Sequence, residues 1–232
     1  MTPGTVSIHF LSPSPHGWDA DACLSRDELR RAAAFRFPED AHRWKCYRAG
    51  LRTVLSGFLD IAPAEVPILI DASGKPKLGS PHDSLHFNLS HCDDLALIAV
   101  SPDGPVGIDV ESIHRAPDLL ECVGTFCHPE EIALLPDQLP ARARRLLEIW
   151  CAKEALLKAI GTGLSQAPDE FALRPCNPAF ILDSDKAPPG GLGQNTILLT
   201  HKLLENHLAV LSAPISATRV DYVLPQVSTP PV

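Results

Sequence analysis

The chain has 232 residues, enough for one large domain or two smaller lobes with a core each. Its 45% hydrophobic and 21% charged residues fit a soluble globular protein, and its longest apolar runs, such as Leu95–Val100, are too short to span a bilayer. With 20 basic and 28 acidic residues the net charge is −8, the reverse of the balance expected of a nucleic-acid binder.

The opening Met1-Thr2-Pro3-Gly4-Thr5 has no basic segment followed by an apolar stretch, so no signal peptide and a cytoplasmic location are expected. Thr5–Leu11 reads as a first strand, and the stretch from Arg26 to Leu59 as helix-rich. Pro38 followed by Glu39 and Asp40 marks a helix start, because proline suits the first turn and acids suit the positive end of the helix dipole. Leu51, Val54, Leu55 and Phe58 then recur at helical spacing. Arg26, Arg30, Arg31, Arg36, Arg43, Lys45, Arg48 and Arg52 crowd this segment, so a local anion site can sit on an acidic protein. Val66–Asp71 reads as a strand, Ser73–Pro76 as a turn, Leu85–Leu89 as a short extended piece and Leu95–Val100 as a buried strand. The turn Ser101–Pro105 leads into a strand over Val106–Val110 and is the best boundary between two lobes.

The second half opens with a helix start at Pro129-Glu130-Glu131 and a longer helix over Arg142–Ile160 that stops at Gly161. Strands are expected at Glu170–Arg174, Ile197–Lys202, His207–Ser212 and Arg219–Val223, and a loose proline-rich tail over 225–232. Helices and strands mix without βαβ alternation, which predicts an α+β fold. Seven scattered cysteines with no C-x-x-C pair argue against a disulfide framework and against a zinc ribbon, and reduced, mostly buried thiols are expected.

Three segments carry candidate chemistry. In Phe87-Asn88-Leu89-Ser90-His91 the histidine and the serine hydroxyl can donate to a phosphate, and Gly74-Lys75-Pro76 upstream adds a close-approach backbone and a point charge. By itself Gly74-Lys75-Pro76 reads better as a surface turn. In Val106–Glu111, Asp109 and Glu111 lie two apart on a strand and share a face, while Ile108 and Val110 face the core. Adjacent carboxylates repel and are costly without a cation, and hard oxygen ligands suit magnesium; an amphipathic strand with a wet face fits the same spacing. In Trp150–Lys158, Trp150, Glu154 and Lys158 form one helical row opposite the stripe Ile149, Ala152, Leu156 and Ile160, and an ordinary solvated Glu–Lys pair fits that row too. Cys127-His128 and His91-Cys92 lack a third partner and carry little weight for thiol chemistry.

Taken in order, these segments resemble the surfactin-type, broad-specificity 4′-phosphopantetheinyl transferases. The likeness runs from Glu39-Asp40-Ala41-His42-Arg43 through Gly74-Lys75-Pro76, Phe87–His91, Gly107–Glu111 and Phe126–Glu130 to Trp150–Lys158 and Gly161–Ser165. The resemblance implies a pseudo-twofold monomer of two similar α+β lobes with the active site in the cleft between them. The lobes would be residues 1–103, holding the coenzyme A phosphate and adenine contacts, and 104–224, holding the metal site and catalytic helix. It implies transfer of 4′-phosphopantetheine from coenzyme A to a serine of an apo acyl, polyketide or peptidyl carrier protein, with release of adenosine 3′,5′-bisphosphate. Magnesium, with manganese as the substitute, would be held by Asp109, Glu111 and Glu154. Lys75, Pro76, Ser90, His91 and Lys158 would contact phosphate and adenosine, with Arg31 and Arg43 adding basic contacts from the first helical segment. Lys158 would also help the leaving group, and Glu154 or Glu130 would take the serine proton. No nucleic acid and no membrane are expected as partners. Two other classes use the same groups: a coenzyme A or nucleotide-binding module without turnover, and a metal-dependent phosphodiesterase. His114, Arg115 and Leu119–Phe126 offer a basic or apolar patch for the carrier, although Leu119, Leu120 and Val123 also read as the core side of a helix.

Overall fold

The computed structural model describes residues 2–13, 19–176, 179–182, 196–204 and 206–224. The expected tail over 225–232 lies outside them. Strand β1 is Thr5–Leu11; helices α1 (Ala20–Cys23), α2 (Arg26–Ala33) and α3 (Pro38–Leu59) follow. Next come β2 (Ile68–Ile70), β3 (Pro76–Leu78), β4 (His86–Cys92), β5 (Leu95–Ser101) and β6 (Gly107–Ser112). Helices α4 (Val123–Phe126), α5 (Pro129–Ala133) and α6 (Leu139–Ile160) precede β7 (Leu173–Cys176), β8 (Ala179–Leu182), β9 (Thr196–Leu204), β10 (His207–Pro214) and β11 (Arg219–Val223). The architecture is α+β with two domains, as the mixed order of elements predicts.

The strands form two main sheets, ordered β11-β1-β5-β4 and β6-β10-β9-β8-β7, with β2 and β3 as a separate pair. Alternation along the strands decides what each face covers. On β5, Leu95, Leu97 and Ala99 join Val6 and Ile8 of β1 in a core shared with Ile108 and Val110 of β6 and Ala209, Leu211 and Ala213 of β10. Ile98 and Val100 turn the other way, onto Leu51 and Leu55 of α3. Leu208 and Val210 of β10 likewise turn onto Leu146, Ile149 and Leu156 of α6. The inner strands β5 and β10 are therefore buried on both faces, which explains why β5 is one unbroken buried run.

The edge strands β4 and β6 meet without a backbone ladder between them. Side chains at every second position of β4 replace it. Asn88 Oδ1 accepts from the Ile108 N–H at 2.9 Å, Ser90 Oγ from the Val110 N–H at 3.3 Å, and Cys92 Sγ from the Ser112 N–H at 3.2 Å. These bonds satisfy buried backbone donors and join the two sheets.

The boundaries differ from the sequence expectation where turns intrude. The segment expected at Glu170–Arg174 starts pairing only at Leu173, because Pro168–Glu170 is a 3₁₀ turn. α6 begins at Leu139 rather than Arg142, with Pro140 in its first turn. It stops at Gly161, whose φ of 88° is left-handed and whose N–H bonds to Leu157 O. The strand Arg219–Val223 was grouped by the sequence with the second lobe; in the structure it pairs in parallel with β1, so the chain returns to the first sheet. Gly4 O anchors this return by accepting from the N–H groups of Thr218 and Arg219.

Candidate active site

The centre of the site is the contact between β6 and α6. A Cβ on Gly107 would lie 2.0 Å from Ala155 O and 2.5 Å from Ala159 N, so only glycine lets the strand press onto the helix backbone. Residues 107, 109 and 111 share this face, and it carries Asp109 and Glu111 to the row of Trp150, Glu154 and Lys158.

Asp109 is buried, at 4% exposure. Its Oδ1 accepts from Lys158 Nζ at 2.6 Å and from Ser90 Oγ at 3.1 Å, while its Oδ2 is enclosed and has no hydrogen bond. Lys158 Nζ also reaches Ser90 Oγ at 3.0 Å and Ile108 O at 3.3 Å. Glu111 pairs with Arg115, and its Oε1 accepts from Trp150 Nε1 at 3.3 Å. The Arg115 guanidinium stands 5.5 Å over the Trp150 ring, so it belongs to the site and not to a free docking patch. Glu154 Oε1 is enclosed with no hydrogen bond. Burial pushes the carboxyls of Glu111 and Glu154 above the usual glutamate range, and the charge of Asp109 pushes in the same direction.

A divalent cation fits this donor set. Two enclosed carboxylate oxygens lack partners, and buried polar atoms rarely do. Two glutamates whose proton affinity is raised by burial and by the charge of Asp109 are what a hard cation relieves. With Lys158 on Asp109 and Arg115 on Glu111, the three acids do not bring their oxygens within 4.8 Å of one another. A bound ion would therefore displace or share these cations.

The basic side meets the acids at the end of β4. His91 is exposed; burial of part of its ring, then the charges of Lys158 and Arg43, hold its pKa below the usual histidine value. Ser90, Lys158, His91 and Arg43 thus gather on one flank. The ring of Tyr47 stacks on His91 at 5.1 Å, and its hydroxyl donates to Asp93 O at 3.0 Å, which fixes the imidazole. Lys75 crosses to α6, where its Nζ donates to Ala159 O at 2.9 Å; burial lowers its pKa to about 8. Pro76 follows it at the start of β3. The Arg31 guanidinium on α2 lies 5.4 Å over the Trp44 ring.

Much of the basic crowd in the first helices is committed internally. Arg48 and Arg52 both pair with the buried Glu28, and Arg52 also bonds Pro63 O, Ala64 O and Val66 O. Lys45 pairs with Asp21 and Arg30 with Asp27. Leu119 is buried, and Leu120 and Val123 pack on the same core, so this stretch faces inward.

Glu130 sits on the exposed side of α5, whereas its neighbour Glu131, which the sequence did not single out, is buried. Glu131 accepts from the N–H groups of His128 and Leu173 and pairs with Lys153 Nζ at 2.7 Å. Lys153 also donates to Phe126 O, Pro168 O and Phe171 O at 2.7–2.8 Å. The ion pair thus clamps α5 and the Pro168–Phe171 turn to α6 next to Glu154. The sequence signal was the charged Lys153 on the apolar side of the helix.

A strand-borne acid pair, a helical acid and a flank of cations define a site for a charged phosphoryl substrate. Two family models match the chain: "4′-phosphopantetheinyl transferase, N-terminal" over residues 11–103 and "4′-phosphopantetheinyl transferase superfamily" over residues 105–191. The chain is 40% identical over 197 residues to 4′-phosphopantetheinyl transferase HetI of Nostoc sp., covering 77% of this chain and 82% of that protein. It is 32% identical over 146 residues to putative 4′-phosphopantetheinyl transferase slr0495 of Synechocystis sp., covering 62% and 59%. It is 28% identical over 152 residues to 4′-phosphopantetheinyl transferase Sfp of Bacillus subtilis, covering 65% and 66%. The chain belongs to the 4′-phosphopantetheinyl transferase superfamily. It is an enzyme that transfers 4′-phosphopantetheine from coenzyme A to a carrier protein.

Proposed function

We propose that the chain performs this transfer as a magnesium-dependent, broad-specificity enzyme of the surfactin type. Coenzyme A lies between two similar α+β lobes related by a pseudo-twofold, residues 1–103 and 104–224, with β11 returning to the first. The two family matches meet at this division, which supports it. The observation that carries the reading is the glycine-permitted contact of β6 with α6, which gathers Asp109, Glu111 and Glu154 beside Lys158.

Asp109, Glu111 and Glu154 hold the metal. Bound there, magnesium neutralises the charge that grows on the diphosphate oxygens. Lys158 is released from Asp109 and donates to the phosphoryl oxygens as 3′,5′-ADP leaves. His91, held by Tyr47, donates to a phosphate with Arg43 beside it, while Lys75 and Pro76 contact the phosphate and adenosine portion and Arg31 adds a contact from α2. Ser90 acts at the root of the group by orienting Asp109 and Lys158. Glu154 takes the proton of the carrier serine, and exposed Glu130 is the second candidate. Little covalent chemistry is asked of the protein, in keeping with phosphoryl transfer by positioning and electrostatics. Seven free cysteines support a reducing, cytoplasmic setting, and no helix among the described residues is long and apolar enough to cross a membrane. We read the enzyme as a monomer.

The test is the intact mass of apo carrier proteins of the fatty-acid, polyketide and peptide kinds after incubation with coenzyme A and magnesium. Phosphopantetheine is expected on carriers of more than one kind, and chelation should stop the reaction. Modification confined to one carrier would refute broad specificity. Turnover unaffected by chelation would refute the metal assignment, and release of 3′,5′-ADP without carrier would point to a phosphodiesterase.

A further inference from the structure

Beyond the last rung of the β4–β6 junction lies a second cluster that the transfer chemistry does not use. Cys92 ends β4, Asp93 follows in the turn with a left-handed φ of 52°, and His207 begins β10 opposite Ser112 of β6. A ligand atom from each lies within 4.8 Å of the other two, the one such His/Cys/Asp/Glu trio among the described residues. Both ring nitrogens of His207 are enclosed and make no hydrogen bond; the nearer carboxylate oxygen of Asp93 is 3.9 Å from Nε2, too far for one. The register shift between His207 and Leu208 sets this side chain apart from the regular ladder. Cys92 Sγ already accepts the Ser112 N–H, an outer-shell bond that orients a sulfur ligand. Burial pushes the pKa of the Cys92 thiol up to about 11, so the metal itself must draw off its proton.

We propose that Cys92, Asp93 and His207 form a binding site for a borderline divalent transition metal of the zinc class, separate from the carboxylate site. One sulfur, one imidazole nitrogen and one carboxylate oxygen is a donor set such ions take, with water completing four-coordination. Magnesium is excluded by the same chemistry, because it favours oxygen ligands and octahedral geometry. On binding, Cys92 gives its thiol proton to solvent and the thiolate bonds the metal, with no change in oxidation state. The site abuts the catalytic group, since Ser112 follows Glu111 and Leu208 pairs with Glu111 across the ladder. An ion there adds positive charge next to one of the acids proposed to hold magnesium.

Cobalt(II) is the probe, added to the full-length, reduced and chelator-stripped protein. One cobalt per chain should bind with a near-ultraviolet thiolate charge-transfer band and the visible bands of a four-coordinate ion. Zinc should remove these bands, and magnesium should not. Cys92→Ser keeps an acceptor for the Ser112 N–H, so the fold should survive by circular dichroism while the charge-transfer band disappears. His207→Gln should weaken cobalt binding by at least about tenfold. The band should persist in Asp109→Asn and in the double variant Cys122→Ser/Cys176→Ser, which removes the two exposed thiols. Absence of a charge-transfer band at one equivalent of cobalt, or a band that persists in Cys92→Ser, overturns the proposal. Neither result bears on the transferase reading, which is scored by carrier mass.

Discussion

Replacing Lys153 with methionine is expected to cost stability out of proportion to the small change in volume. Lys153 is 1% exposed, and its Nζ has four partners: Glu131 at 2.7 Å and the carbonyls of Phe126, Pro168 and Phe171. At 2.7 Å, with an effective dielectric constant of about 20, the Coulomb attraction to Glu131 is about 6 kcal/mol. Desolvation of both ions offsets much of it in the native protein. Removing only the lysine, however, leaves the Glu131 charge buried without its cation and three carbonyls without a donor. The expected loss is about 3–5 kcal/mol, a large part of a total of about 5–15 kcal/mol. Urea unfolding followed by tryptophan fluorescence should show the midpoint falling by at least about 1 M. The double variant Lys153→Met/Glu131→Gln should lose less than the sum of the singles by at least about 1 kcal/mol. A Lys153→Met loss below about 1 kcal/mol would refute the clamp.

Asp109→Ala and Glu154→Ala should each lower carrier modification by at least about 100-fold, by intact mass, while circular dichroism is unchanged; wild-type rates in either would remove it from the site. Gly107→Ala should destabilise by about 3 kcal/mol or more in a thermal melt, because the new Cβ meets backbone atoms of Ala155 and Ala159 that have no rotamer to escape through; a melt like wild type would mean the strand–helix contact is looser than described. Glu111 and Glu154 have folded pKa values raised above the ordinary 4.5, so the folded chain holds protons that the unfolded chain releases. Their contribution to stability of the metal-free protein should therefore fall as pH rises past about 4.5 and through the raised values, and Glu154→Gln should flatten that slope. Magnesium should raise the melting temperature more at pH 8 than at pH 5, and an equal shift at both would count against these acids as ligands. Lys75→Ala should raise KM for coenzyme A with kcat retained; a fall in kcat at constant KM would contradict a binding role.

Short-range signals in the sequence determined most elements and the residue types at the centre. Period-two alternation over Gly107–Glu111 put Asp109 and Glu111 on one face, and the helical row placed Glu154 and Lys158 together. These are properties of a single element, so local spacing carries them. The pairing of those elements is not local. That β6 lies against α6 depends on Gly107 having no Cβ to meet Ala155 O, and that β4 joins β6 depends on Asn88, Ser90 and Cys92 acting as acceptors for another strand's backbone. The sequence marks Ser90 as a phosphate contact; that its hydroxyl also bonds Asp109 and the Val110 N–H, 19 and 20 residues away, is a long-range feature local spacing does not carry. Which members of the basic crowd stay available is not local either, because Glu28 of α2, which claims Arg48 and Arg52 of α3, lies 20 and 24 residues away. Glu130 and Glu131 are equivalent in local sequence, and only packing decides that the helix start turns Glu131 inward, onto Lys153. The sequence by itself determined which side chains could do the chemistry. The tertiary structure alone decided which of them are tied up in the core and which face one another across the junction of the two sheets, because burial and long-range contact set those energies.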